Sequence, residues 1–202
     1  MTPNARPQLT WFDEDRRLPA PGWPAERAAP GDLELVRRFC NTVNRENGED
    51  RFSSGRGFDE WLVGEDLPTT RPSDDDLAKA VAFREALHEI TRGTHRPQFH
   101  ADAWRALVDA VDNVTFRLAV GRDGLDIVAE APSRTSKFLG GLALICRRAH
   151  ADESLRRLKS CSNCEWTIYD TSKNNSGRWC SMYVCGGRHN ARAYRRRRRD
   201  SS

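Results

Sequence analysis

No stretch of this chain is apolar over the length that a membrane-crossing helix needs. The opening residues, Met-Thr-Pro-Asn-Ala-Arg-Pro, hold no apolar run of the signal-peptide kind. A cytoplasmic location without membrane contact, with reduced thiols, is therefore expected. Missing too are the GxSxG elbow of hydrolases, the P-loop and the GxGxxG dinucleotide fingerprint. His88, His95, His100 and His150 stand in no catalytic or metal-ligand spacing and read as surface or satisfied core residues. Asp74–Asp76 resembles a metal cluster only superficially, because an acidic first turn of a helix explains it. No catalytic residue emerges, and no enzyme is expected. Internal repeats are absent, and the one low-complexity run is an arginine tail.

What is present is concentrated at one end. From Leu155 to Ser202 twelve basic residues face three acidic ones, a local charge of +9, so the overall +4 leaves −5 on the first 154 residues. Such asymmetry points to a polyanion for one end only, and the acidic body disfavours indiscriminate docking on it. The same end carries Cys161-x2-Cys164 and Cys180-x4-Cys185. In a reducing compartment, clustered thiols favour a metal over disulfides. Four cysteines suit zinc and fill its tetrahedral shell, leaving no position for water, so the metal is expected to be structural. A segment this short also needs such a staple, because it cannot bury a large core. Cys40 and Cys146 lie outside the cluster in apolar, helix-like patterns and read as small buried hydrophobes.

The fold class expected is α+β: a mostly helical N-terminal domain with a β-hairpin, then a small treble-clef-like zinc module and a basic C-terminal helix. Residues 1–30 hold six of the ten prolines and form an extended arm. The body spans 31–151. Leu33, Val36, Phe39, Cys40 and Val43 recur at helical spacing, and Phe58–Val63 makes a second short helix. Pro72-Ser73-Asp-Asp-Asp76 is the clearest helix start. Ala101–Val111 should form a helix with Trp104, Leu107, Val108 and Val111 on one face. Val114–Val120 and Leu125–Val128 flank Gly121-Arg-Asp-Gly124, a hairpin signature. A long helix over Ser136–His150 leads to the module at 155–199.

Within the module, Glu165–Asp170 reads as a strand, Lys173–Gly177 as the turn, and Arg178-Trp179 as the return to the second cysteine pair. Trp166 and Trp179 are expected to supply most of its small core. After Gly186-Gly187, the residues Arg188, Arg192, Arg195 and Arg199 fall at i, i+4, i+7 and i+11, one face of a helix. Arginine grips phosphate and reads guanine bidentately. Arg188 and Arg192, rigidly linked to the metal turn, are read as specific contacts. Arg197–Arg199 read more simply as a solvated tail that adds affinity without selectivity.

Trp166-x-x-Tyr169-Asp170-x-Ser172-x-Asn174, Trp179-Cys-Ser-Met182 and Cys185-Gly-Gly-Arg188 resemble the CGNR zinc-finger proteins of bacteria over about Leu155–Arg199. The body is similar to the N-terminal domain of stress-induced transcription regulators that accompanies this finger, through Phe39-Cys-Asn41-Thr42, Trp61-Leu62 and Arg84-Glu-Ala-Leu87. The resemblance implies zinc ligation by Cys161, Cys164, Cys180 and Cys185 and a role in transcription. One position departs: Gly187 stands where the family has asparagine, so a side-chain cap or base contact is lost there. His189 and Asn190 are the candidates to take over part of that work, although His189 reads more simply as a surface residue on a basic helix, and Arg196 joins the expected nucleic-acid contacts.

The expected function is a transcription regulator that binds double-stranded DNA. Its body would sense a small-molecule effector or stress signal, or form a homodimer. Asn41–Arg45 are weighed as an effector pocket, against capping and packing. Two alternatives stay open: an RNA-binding module stacking bases on Trp166, Tyr169, Trp179 and Tyr183, and a redox sensor that releases zinc on thiol oxidation.

Overall fold

The computed structural model describes residues 28–93, 101–121 and 124–200. The proline-rich arm lies almost wholly outside them, as do His95, His100, Arg122 and Asp123.

Six α-helices and three two-stranded antiparallel hairpins make up the described chain. Helix α1, Leu33–Cys40, buries Leu33, Val36, Phe39 and Cys40 on one stripe. The expected helical pattern overran by one turn. Val43 belongs to β1, Val43–Asn44, which pairs with β2, Glu49–Asp50. Its i+3 distance from Cys40 imitates a helical period, but the helix ends at Asn41, whose side chain is engaged elsewhere.

Helix α2, Gly55–Gly64, starts where Ser54 accepts a hydrogen bond from the Gly57 N–H. Helix α3, Asp74–Gly93, opens on a reciprocal cap: Ser73 Oγ accepts from the Asp76 N–H, and the Asp76 carboxylate accepts from the Ser73 N–H. The same carboxylate accepts from Ser133 Oγ at 2.5 Å, which joins the start of α3 to the start of α5, Arg134–Ala151. Helix α4, Ala101–Asp109, buries Leu107, and Val111 just beyond it is buried too. Val108 is exposed, contrary to expectation, because one residue turns a helix by about 100° away from the Leu107 direction.

Strands β3, Thr115–Gly121, and β4, Gly124–Glu130, form the expected hairpin. It rests on α5 at Gly140, where an added Cβ would lie 2.7 Å from Val114 and 2.8 Å from Ala129. Only glycine permits that approach.

The body's core centres on Phe39. Its ring lies 5.3 Å from Phe52, 5.6 Å from Trp61 and 6.1 Å from both Phe83 and Phe138. Such tilted and edge-to-face pairs add about 0.5–1.5 kcal/mol each beyond area burial. Arg84 enters this core at 2% exposure. Its guanidinium pairs with both Asp50 oxygens at 2.6 and 2.7 Å, donates to Thr42 Oγ1 and lies over the Phe52 ring. Burial alone would raise the Asp50 carboxyl; the hydrogen bonds from Arg84 and the Phe52 N–H outweigh it and hold it low.

A 3-10 turn, Ser154–Arg157, leads into β5, Leu158–Ser160, which pairs with β6, Thr167–Tyr169. Leu155 and Leu158 are part of the body's core cluster, and α3 and α1 pack on β5 and β6. The chain then runs through a single π-helical turn, Met182–Gly186, into α6, Gly187–Asp200.

Candidate metal centre and nucleic-acid interface

The first cysteine pair occupies the connection between β5 and β6. Cys161 N–H donates to the Trp166 carbonyl at 2.8 Å and Glu165 N–H to the Cys161 carbonyl at 3.0 Å, closing a tight knuckle. The hairpin partner of β6 is therefore β5, where Arg178-Trp179 was expected. That return segment touches the knuckle through Ser162 N–H and the Arg178 carbonyl at 2.9 Å without forming a strand. The reason is that the chain after β6 turns back on Asp170. This buried carboxylate accepts from Lys159 Nζ at 2.8 Å, Gly177 N–H at 2.7 Å and Ser172 N–H at 3.0 Å. Burial alone would raise the Asp170 carboxyl, but the Lys159 ammonium and the Ser172 hydrogen bonds hold it well below the usual carboxylate range. A Cβ at position 177 would sit 2.5 Å from its oxygen, so Gly177 is needed for the carboxylate to reach the backbone.

The knuckle places Glu165 at φ 61°, a left-handed conformation that costs a non-glycine residue roughly 1–2 kcal/mol. Helix α3 holds it there. His88 Nε2 lies 3.2 Å from the Glu165 carbonyl, and Arg92 reaches its carboxylate at 3.6 Å. His88 is thus a satisfied core histidine, and burial lowers its pKa. Of the second cysteine pair Cys180 precedes the π-turn and Cys185 lies within it; Cys185 and Gly186 N–H both donate to the Ser181 carbonyl and Val184 N–H donates to Ser181 Oγ.

These two turns bring Cys161, Cys164, Cys180 and Cys185 together, all buried, with every sulfur within 4.8 Å of the others. Cys164 and Cys180 sulfurs are 3.6 Å apart, and Cys180 and Cys185 are 3.5 Å apart. A tetrahedron with Zn–S bonds of about 2.3 Å has edges of about 3.8 Å, so the donor set fits zinc in number, softness and spacing. Hydrogen bonds from Cys164 and Cys180 lower the Cys161 pKa, and the hydrogen bond that Cys164 makes to Cys161, with burial adding to it, pushes Cys164 up to about 12. Four thiols at this spacing resist losing a second proton until a cation offsets the charge. Cys40 and Cys146 behave differently: both are buried among apolar groups, and that burial raises their pKa, Cys40 to about 12. Ile168, Trp166 and Trp179 pack against the cysteine cluster.

Sequence reasoning missed the residues that tie this centre to its surroundings. Asn163, inside the first pair, donates to Cys185 Sγ at 3.5 Å and accepts from Arg192 at 3.0 Å. Asn41, at the end of α1, donates to the Thr167 carbonyl and accepts from the Thr167 N–H, both at 2.8 Å. Thr91 and Ser160 hydroxyls meet at 2.7 Å. The rest of Asn41–Arg45 also has structural partners. Thr42 bonds Phe39 and Arg84, Asn44 caps the Glu46 N–H, and Arg45 pairs with Glu85. Packing, and not an effector pocket, accounts for their polar atoms.

The expected nucleic-acid residues all lie on α6, a helix with no buried residue over 187–199. Arg188 pairs with Glu46 of the β1–β2 turn at 2.8 Å, Arg192 holds Asn163, and the His189 ring lies 4.8 Å from Trp179. Arg195, Arg196 and Arg199 are exposed. Among the described residues no helix is long and apolar enough to cross a membrane.

Comparison with known proteins agrees with both halves. Residues 157–198 match the CGNR zinc finger. Residues 33–153 match the ABATE family, described as "Putative stress-induced transcription regulator". A search of the curated proteins finds no match. The second family match spans more than half of the chain, and the chain belongs to the ABATE family, with a CGNR zinc finger match toward its C-terminal end.

Proposed function

We propose that this protein is a cytoplasmic, non-enzymatic regulator that binds double-stranded DNA through α6. In this reading one structural zinc is held by Cys161, Cys164, Cys180 and Cys185 and fixes the direction of that helix. The observation that carries the reading is α6 itself. Seven arginines, Arg188, Arg192 and Arg195–Arg199, occupy a helix with no apolar face to bury. Such a helix gains nothing from core packing, and its charges repel one another until a polyanion neutralises them. Zinc supplies no reactive chemistry in a four-thiolate shell; it closes the two cysteine turns on each other.

Duplex DNA is favoured over unpaired RNA because Trp166, Tyr169 and Trp179 are partly buried. Of the four rings weighed for stacking only Tyr183 is exposed, and a single ring makes a poor platform for successive bases. The body is read as the sensing or dimerising unit, and 155–199 as the reading module. Genomic footprinting in the native host, together with selection from random duplexes, tests this. An enriched motif protected in the cell is expected. Retention of single-stranded RNA over every duplex would overturn it.

A further inference from the structure

The turn between the two ligands of the second cysteine pair carries three apolar side chains that packing does not explain. Met182, Tyr183 and Val184 are 58%, 97% and 50% exposed. Their backbone is held from within by Ser181 and lies between buried Cys180 and Cys185. A tyrosine ring left almost wholly in water contributes no burial energy to the fold. The backbone that carries it is nonetheless held, four residues ahead of Gly187, where α6 begins.

In helix readers of DNA, the N-terminal end of the helix enters the major groove and meets base edges, while flanking cations take phosphates. A rigid apolar tip immediately before that end therefore lies on the base side of the grip. Charge restricts what it meets. No acidic residue occurs between Asp170 and Asp200, whereas Arg178, Arg188, Arg192 and Arg195–Arg199 all fall there. The occupant must be a polyanion that also displays an apolar group. In the major groove that group is the C5 methyl of thymine.

We propose that the Met182–Val184 turn packs on thymine methyl groups, with Tyr183 the principal contact, and selects A·T pairs beside the arginine grip. This rests on the duplex-binding reading above and adds a specificity element to it. It also offers a readout at the helix start, where Gly187 has no side chain to give one.

The test uses the full-length, zinc-loaded protein and two probes, an alternating A·T duplex and the same duplex with deoxyuridine in place of thymidine. The two differ in the methyl group alone. Wild type should prefer the thymidine duplex by about fourfold for each methyl buried. Tyr183→Ala should bind both alike, with unchanged zinc content and circular dichroism. Arg196→Ala should weaken both while keeping the preference. A third duplex carrying 5-iodouracil should photocrosslink to the peptide containing Tyr183. Equal wild-type affinity for the first two duplexes, or crosslinks only elsewhere, overturns the proposal and leaves duplex binding standing. Failure to bind any duplex removes both. A concentration-dependent dimer that Tyr183→Ala abolishes, with no methyl preference, would make this turn a contact between copies of the chain and overturn the proposal.

Discussion

Replacing Asn41 with alanine probes the joint between body and zinc module more directly than any other single change. In the β5–β6 pair, Cys161 N–H meets the Trp166 carbonyl and Asp170 N–H meets the Arg157 carbonyl. Antiparallel alternation then makes Ser160↔Thr167 a pair that exchanges no backbone hydrogen bonds. The Thr167 N–H and carbonyl point off the sheet edge, and the Asn41 amide meets both at 2.8 Å, as a third strand would. Thr167 is 0% exposed, so water cannot take over. The carbonyl keeps Arg37 at 3.5 Å, but the N–H is orphaned. Losing about 1 kcal/mol for the hydrogen bond to the carbonyl and stranding the buried N–H donor at about 1–3 kcal/mol gives an expected loss of about 2–4 kcal/mol. The assay is urea unfolding of the zinc-loaded protein followed by far-UV circular dichroism, where the midpoint should fall by about 1–2 M for a slope near 2 kcal/mol/M. Exchange of the Thr167 amide should accelerate in parallel. Asn44→Ala, which removes a cap in an exposed turn, is the control and should cost below about 0.5 kcal/mol. A loss in Asn41→Ala no larger than in that control, with Thr167 still protected, would refute the reasoning.

Elemental analysis of the reduced protein should find one zinc per chain, and Cys164→Ser should lower its retention sharply under mild chelation. Lys159→Met strands the buried Asp170 carboxylate and should cost about 3–5 kcal/mol by chemical denaturation, while a Lys159→Met/Asp170→Leu double variant should lose less. Because the folded Asp170 carboxyl lies well below its usual range, its stabilisation is complete above about pH 5 and is lost progressively as pH falls from about 4 towards the lowered folded-state pKa. Wild type should therefore lose more stability across that acid range than the double variant does. Deleting Arg195–Asp200 removes five arginines and should flatten the slope of log K against log salt by about 4–5 on duplex DNA, read by fluorescence anisotropy.

The parts legible in the sequence are those with local causes. The capped start of α3, the β3–β4 hairpin and the two cysteine pairs each announce themselves through residue type and spacing. Val43 and Val108 were misplaced because a spacing of three or four residues marks a helix face only when the helix continues and faces the core. The β5–β6 pairing was hidden for another reason. Lys159 sits in a strand and is 2% exposed, yet its burial depends on Asp170, eleven residues on and across the hairpin, and on the Asn175 carbonyl. No local pattern distinguishes such a lysine from a surface one. Asn41 and Asn163 were likewise visible only as polar residues near the end of a helix and within a knuckle. What they hold is 126 and 22 residues away in sequence, and spatial proximity of that kind leaves no periodic trace.

The joint also decides how α6 meets a polyanion. Arg188 and Glu46 are each half exposed at 2.8 Å, and a pair in such a setting is worth about 0–1 kcal/mol and is screened by salt. A phosphate that claims Arg188 therefore displaces Glu46 at little cost. The contacts that hold the knuckle are of another kind: the Asn41 amide on Thr167, the Thr91–Ser160 hydroxyl pair, and Leu155 and Leu158 in the body's core. None of these involves α6, so binding along the helix leaves them intact. In the proposed reading α6 can exchange the Arg188–Glu46 pair for a phosphate contact while the zinc module stays fixed on α1 and α3. In the duplex-binding reading proposed above, a change of shape in the body would reach the DNA through the end of α1 and the face of α3, and substitutions there should alter the response without altering the metal.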